Sequence, residues 1–211
     1  MNHRALLTRW ATVAGILYLF AFAAAAAHAG IPADRVRATT DQVLTILRDP
    51  QLKSESKKKE RSELLKQAIY PRFDFAEMAK RSLGAHWQKR SPEEQQQFVE
   101  LFTDVLEGAY VNTIESYNGE KIVVGKEALD KNFAEVNTKI FTPKGEEVII
   151  DYKLHQAGGD WKVYDVVVEN ISLVSNYRSQ FNRVIAQSSY DELVRRLKTK
   201  QFDAPGKQVK K

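Results

Sequence analysis

The chain of 211 residues contains no cysteine. That excludes a disulfide framework, a cysteine nucleophile and a cysteine-ligated zinc site. Histidine is nearly as scarce. His3 and His28 fall in an N-terminal segment that reads as a leader, which leaves His86 and His155 for the folded part. Neither belongs to a catalytic pattern, and there is no G-x-S-x-G, P-loop or H-E-x-x-H. A strong charge imbalance is also missing. The formal charge is +5, and removing Arg4 and Arg9 with the leader leaves 30 Lys and Arg against 27 Asp and Glu, or +3. So small a surplus does not argue for a nucleic-acid binder. After the N-terminus no apolar run is long enough to span a bilayer.

What is present begins with that N-terminus. Arg4 and Arg9 form a positive start, Ala11 to Ala27 is uncharged and alanine-rich, and Ala27-His28-Ala29 is a small-x-small cleavage signal. Residues 1–29 are therefore expected to be a cleaved signal peptide, with an uncleaved signal anchor as the rival reading; either way the rest of the chain is exported. Residues 30–200 are expected to form one domain, large enough to need no covalent staples. The tail 201–211, with Pro205, Gly206 and lysines but no periodicity, is expected to be disordered.

Along the domain, helical periodicity comes first. Residues 32–50 form a helix stopped at Asp49-Pro50. A charged run, Lys53 to Arg61, reads as the solvated start of a second helix capped by Ser54 or Ser56; a contact with anionic headgroups or an acidic partner is the sharper alternative. Asp74 caps a short helix that stops at Gly84. Ser91-Pro92-Glu93-Glu94 is a capping box with proline at the first helical position. The helix that follows runs to about Tyr117 and carries one apolar stripe from Phe98 and Phe102 through Leu106 and Tyr110 to Ile114.

From Lys121 the period becomes two. Strands are expected at 121–124, 133–141, 147–155 and 161–168, joined by Thr142-Pro143-Lys144-Gly145 and Ala157-Gly158-Gly159-Asp160 turns. In the last strand Tyr164, Val166 and Val168 share one face, with Asp165 and Glu169 on the other. Ser175 is read as the cap of a helix over 176–187, and another follows at 190–198. The pattern is an α+β domain: a curved four-stranded antiparallel sheet with helices on one face.

Asp151 and Asp165 are the remaining candidates for a general base, but both lie on the mixed face. The inward stripes are rich in aromatic and aliphatic residues. They fit either a filled core or a cavity for an apolar ligand, and periodicity does not separate the two.

The segments FDFAEMAKRSLGAHW (73–87), SPEEQQQFVELF (91–102), AYVNTIESYNGE (109–120) and, above all, WKVYDVVVENISLVSNYRSQF (161–181) resemble the MlaC-type, or toluene-tolerance, family of periplasmic phospholipid-binding proteins. The family often has glycine where this chain has Asn170, and asparagine also tolerates a left-handed backbone. The resemblance implies an NTF2-like sheet with a cavity that buries the acyl chains of a phospholipid. It also implies a non-enzymatic shuttle, without cofactor or metal, serving outer-membrane lipid asymmetry. The implied partners are an outer-membrane lipoprotein complex and an inner-membrane ABC transporter with a membrane-anchored substrate-binding subunit. Tyr110, Val148 and Ile171 match the family's pocket. The stripes add Phe98, Phe102, Leu106, Ile114, Ile150, Tyr152, Val166, Val168 and Phe181. A hopanoid carrier or a small NTF2-like enzyme acting on an apolar substrate are the alternatives.

Overall fold

In the computed structural model of the protein residues 31–202 are described; the expected signal peptide and the tail from residue 203 lie outside the described residues. Four helices precede the sheet: α1 (Pro32–Arg48), α2 (Lys58–Ile69), α3 (Phe75–Leu83) and α4 (Pro92–Glu115). The strands are β1 (Lys121–Asp130), β2 (Phe133–Phe141), β3 (Glu147–Ala157), β4 (Asp160–Val168) and β5 (Ile171–Ser172). Two helices close the chain, α5 (Leu173–Gln187) and α6 (Tyr190–Lys198).

Local chemistry sets several of these boundaries. The Ser91 hydroxyl accepts from the Glu94 amide (3.2 Å), and the Glu94 carboxylate accepts from the Ser91 amide (2.8 Å), completing the capping box. Asp74 accepts from the Glu77 amide at the start of α3. Neither Ser54 nor Ser56 caps α2; a 3-10 turn over Glu55–Lys57 leads into it instead. The first residues of α1 have no local cap. The Glu127 carboxylate, from β1, accepts from the Ala33 amide at 2.7 Å, a satisfaction of a helix terminus that no local motif announces. Helix α5 begins three residues earlier than the sequence suggests. Ser172, not Ser175, is its cap and accepts from the Ser175 amide.

The sheet is an antiparallel meander in the order β1-β2-β3-β4-β5. The expected four strands become five, because the chain turns at Glu169-Asn170 and adds a two-residue strand to the edge of β4. Both turn residues have left-handed backbones (φ +49° and +64°), which asparagine accepts readily. β1 is also longer than expected. A bulge at Gly125–Lys126 interrupts its pairing with β2, after which pairing resumes at Glu127. A second bulge lies in β4, where Lys153 pairs with Asp165 but Leu154 pairs with Val163. Tyr164 is the extra residue. The expected phase of this strand is therefore wrong in its first half: Trp161 and Val163 share the inner face with Val166 and Val168. Tyr164 turns outward, against Phe133 and His155 and under the guanidinium of Arg81.

Two cores result. One is purely helical, with Met78, Leu83, Phe98, Phe102, Leu106, Tyr177, Phe181, Leu193 and Leu197 among its buried members. Phe202, assigned from sequence to the tail, packs its ring edge-on to Phe181 at 5.0 Å. The other core joins Ala33 and Val36 of α1 and Leu173 of α5 to Ala134, Val136, Leu154, Trp161, Val163 and Val166 of the sheet.

Candidate functional site

The inner face of the sheet is packed shut at one end and looser at the other. At the β3–β4 hairpin end, Ala134, Leu154, Trp161 and Val163 are buried. Charges lock the helices onto this end. Asp160 pairs with Arg35 of α1 (3.1 Å) and with Arg72 (3.1 Å), and Arg72 also donates to the Trp161 carbonyl. Toward the opposite strand ends the same face carries Ile122 and Val124 of β1, Ile140 of β2, Val148, Ile150 and Tyr152 of β3 and Val168 of β4. All of them are only half-buried. The register sets them side by side, with Ile122, Ile140 and Val148 in one row and Val124, Thr138, Ile150 and Val168 in the next.

The reason for the looseness lies in α4. Its close approaches are to α3 and α6, while α1, α3 and α5 are the helices that lie directly on strands. Tyr110 touches both cores, so it marks where α4 leaves the helical core and passes over the sheet. The C-terminal ends of α1 and α4 meet where Arg48 donates twice to the Tyr117 hydroxyl (2.9 and 3.1 Å). The half-buried apolar side chains at this end of the sheet face, with Tyr110 of α4 packed against the same cluster, form the candidate cleft.

Its few polar atoms are hydroxyls. Burial raises the pKa of Tyr152, and burial followed by the neighbouring Tyr177 hydroxyl raises that of Tyr110. Tyr152 nevertheless keeps some accessible surface. Thr138 is 1% exposed, and its Oγ1 has no hydrogen-bond partner among the described residues. Such a buried hydroxyl costs about 1–3 kcal/mol.

No catalytic grouping accompanies the cleft among the described residues. Asp151 accepts from the Asn137 side chain (2.6 Å) on the outer face. Asp165 accepts from the Ser172 hydroxyl (2.6 Å) and the Val174 amide (3.1 Å). His155 Nε2 lies 2.9 Å from Asp74, itself the cap of α3. Each candidate general base or acid is engaged in holding structure. No group of acidic or histidine side chains among the described residues is arranged to hold a metal ion. Two open depressions lie elsewhere. One, of about 450 Å³, is lined by polar residues of α2 and α4 such as Lys58, Ser62 and Asn112. The other, of about 250 Å³, lies against Leu129, Phe133 and Tyr164.

Comparison with known proteins bears on what the cleft is for. The family model described as MlaC protein matches residues 37–199. The chain belongs to the MlaC family. It is 28% identical over 178 residues to the toluene tolerance protein Ttg2D of Pseudomonas putida, covering 83% of each chain. It is 23% identical over 139 residues to the intermembrane phospholipid transport system binding protein MlaC of Haemophilus influenzae, covering 64% of this chain and 65% of that one. A phospholipid-binding protein from Ralstonia solanacearum, solved in complex with a phospholipid, superposes with a TM-score of 0.72 at 27% identity, over 81% of this chain and 97% of the other.

The twelve residues expected from sequence to line a pocket do not all come together in this MlaC-family chain. Ile150, Tyr152, Val166 and Val168 lie on the inner sheet face, Val148 in the row at its open end, and Tyr110 packs against the same cluster. Ile114 is half-buried one turn beyond Tyr110. Phe98, Phe102, Leu106 and Phe181 are elsewhere. They belong to the helical core, in which no strand residue takes part. The rings of Phe98, Phe102 and Phe181 stand 5.5–6.1 Å apart, so that space is filled by protein. The α4 stripe is continuous, but it serves two cores in succession. Ile171 is 39% exposed on β5, at the rim of the open end. Ile122 and Val124 lie in the strand expected at 121–124, but an alternation cut off at Gly125 is too short to tell which of its faces is covered. Thr138 and Ile140 were legible as one strand face, but nothing local distinguished them from ordinary core.

Proposed function

We propose that this chain is a periplasmic carrier that shields the acyl chains of a phospholipid in the cleft between the sheet and α4. The observation that carries the reading is the half-buried apolar end of a sheet face that is otherwise packed shut, in a family member similar to a solved phospholipid complex. The physical need is large. Each methylene kept from water is worth ~0.8 kcal/mol, so two long acyl chains exposed to water cost on the order of 20 kcal/mol. A carrier must also let go, so its lining should match the interior of a bilayer without greatly exceeding it. Valine, isoleucine and tyrosine side chains meet methylenes without directional bonds and suit that task. The headgroup stays in water beyond Ile140, Val148 and Ile171.

In this proposal the N-terminal segment directs export and is removed, and the carrier moves lipid between an outer-membrane lipoprotein complex and an inner-membrane ABC transporter. Among the described residues, no helix is long and apolar enough to cross a membrane. The site is Tyr110, Ile114, Val148, Ile150, Tyr152, Val166 and Val168, with Ile171 at the rim.

The test is mass spectrometry of a solvent extract of protein purified from periplasm without detergent. Near-stoichiometric phospholipid is expected. A hopanoid would change the cargo, and an empty protein that also takes up nothing from labelled vesicles would overturn the reading. Val148→Asp, at the half-buried strand end, is expected to fold and to lose the lipid. A folded variant with its full lipid content would remove this cleft as the site.

A further inference from the structure

We propose that the last turns of α4, residues 109–117, form a hinged strap that swings on Gly108 to let cargo into and out of the cleft. This rests on the carrier reading above and adds how the lipid passes.

The helix changes character at Gly108. Upstream, Phe98, Phe102, Val105 and Leu106 are buried in the helical core. Downstream, residues 107–117 add no buried side chain to either core, and only Tyr110, close to the glycine, packs against them. Glycine inside a helix is unfavourable relative to alanine, because it gives up more backbone freedom and packs nothing. Space does not demand it here. Beyond its own helix, a Cβ at position 108 would meet only the outer part of the flexible Lys200 side chain, no closer than 3.4 Å. What glycine supplies at this point is a weak joint in a helix of 24 residues. The far end of the strap is jointed too. Gly119, with φ +89° and open space around it, lies in the short link from α4 to β1.

What holds the strap to α1 and α2 is polar. At its base the Glu107 carboxylate accepts from the Tyr70 hydroxyl (2.6 Å) and pairs with Lys66 of α2 (2.7 Å). Near its tip Glu115 pairs with Arg61 of α2 (3.4 Å), the two side chains being 7% and 13% exposed. Arg48 of α1 donates to the Tyr117 hydroxyl. Between these points the helices are not packed together: the depression of about 450 Å³ separates Lys58 and Ser62 of α2 from Val111 and Asn112 of the strap. Apolar contacts resist opening, because the surfaces they expose meet water unfavourably. Ion pairs and hydroxyl bonds resist it less, since water replaces each partner and the charges regain their hydration. A strap held by polar bonds on a glycine joint therefore opens at small cost, while the first half of α4 keeps its place among the rings. The strap also leads into β1, whose Ile122 and Val124 belong to the open end of the sheet face. Its movement is movement at the mouth of the cleft.

The chain has no cysteine, so Ser62→Cys combined with Asn112→Cys places two spin labels across the depression of the intact exported protein. Their separation is read by double electron–electron resonance, with and without phosphatidylethanolamine vesicles. A second, longer separation is expected, and its share should grow when vesicles are present. Transfer of a fluorescent diacyl phosphatidylethanolamine between vesicles is measured alongside. Gly108→Ala, which stiffens the joint, is expected to raise the melting temperature by about 2–4 °C and to slow transfer about fivefold. Glu115→Gln, which weakens the hold near the tip, is expected to speed transfer. A glycine with no part in opening would give the same gain in melting temperature with transfer unchanged. That result, or a single fixed separation with and without vesicles, overturns the strap and leaves the carrier reading standing. No uptake of lipid by the native protein overturns both.

Discussion

Replacing Asp165 by alanine should destabilise the protein without touching the cleft. The carboxylate is 6% exposed and sits where the sheet hands the chain to α5. Its Oδ2 accepts from the Ser172 hydroxyl at 2.6 Å and its Oδ1 from the Val174 amide at 3.1 Å. The Ser172 hydroxyl in turn accepts from the Ser175 amide at 3.0 Å. One side chain thus satisfies, directly or through Ser172, two of the free amides at the start of α5, and its charge complements the helix N-terminus. Alanine leaves the Val174 amide buried without an acceptor and removes a charge-assisted bond. The combined loss is about 3 kcal/mol. For a domain of this size that is a fall in melting temperature of about 6–12 °C. Asparagine keeps an acceptor for Val174 and should lose about half as much. The assay is thermal unfolding followed by circular dichroism, with lipid content measured on the same samples. If Asp165→Ala melts within about 2 °C of the native protein, the junction does not depend on this carboxylate and the reasoning fails. If Asp165→Asn is stable but abolishes a turnover, the enzyme alternative revives.

The β4–β5 turn offers a backbone test. Asn170 has φ +64°, so Asn170→Gly should melt within about 1 °C of the native protein, whereas Asn170→Val should lose about 1–2 kcal/mol; equal melting of the two variants would refute the left-handed turn. In α6, hydrogen bonds first from Arg195 and then from Arg196 lower the Glu192 pKa from an ordinary 4.5 to about 2. A depressed carboxyl stabilises the fold above its unfolded pKa, and that contribution fades as pH falls from about 4.5 to about 2. Thermal melts from pH 5 to pH 2 should therefore fall more steeply for the native protein than for Glu192→Gln; parallel slopes would count against the pairing.

The elements that sequence made legible are those whose cause is local. The Ser91 capping box, the Asp74 cap, the Thr142–Gly145 turn with its Gly145 amide to Thr142 carbonyl bond, and the alternation of β2 and β3 all follow from residues within a few positions of one another. The candidate site was legible only in part, for a related reason. Alternation puts Ile150, Tyr152, Val166 and Val168 on one face whatever packs against them. The stripe of α4 likewise announces that its residues are buried, but the same periodicity describes a helix buried against helices and one buried against a sheet.

What the chain's own order of residues determined, then, was the set of elements, the α+β pattern and the supply of inward apolar side chains. Tertiary structure alone decided how that supply was divided. Phe98, Phe102 and Phe181 went to a core filled by rings, while Tyr110 passed over the sheet. The bulges in β1 and β4 exist only relative to a partner strand, so the one that turns Tyr164 outward and Val163 inward could not be read from β4 by itself. Glu127 capping α1, Asp165 capping α5 through Ser172, and Thr138 buried without a partner are all relations between segments far apart in the chain or on different strands. Burial is a property of what lies opposite, and only the folded arrangement supplies that.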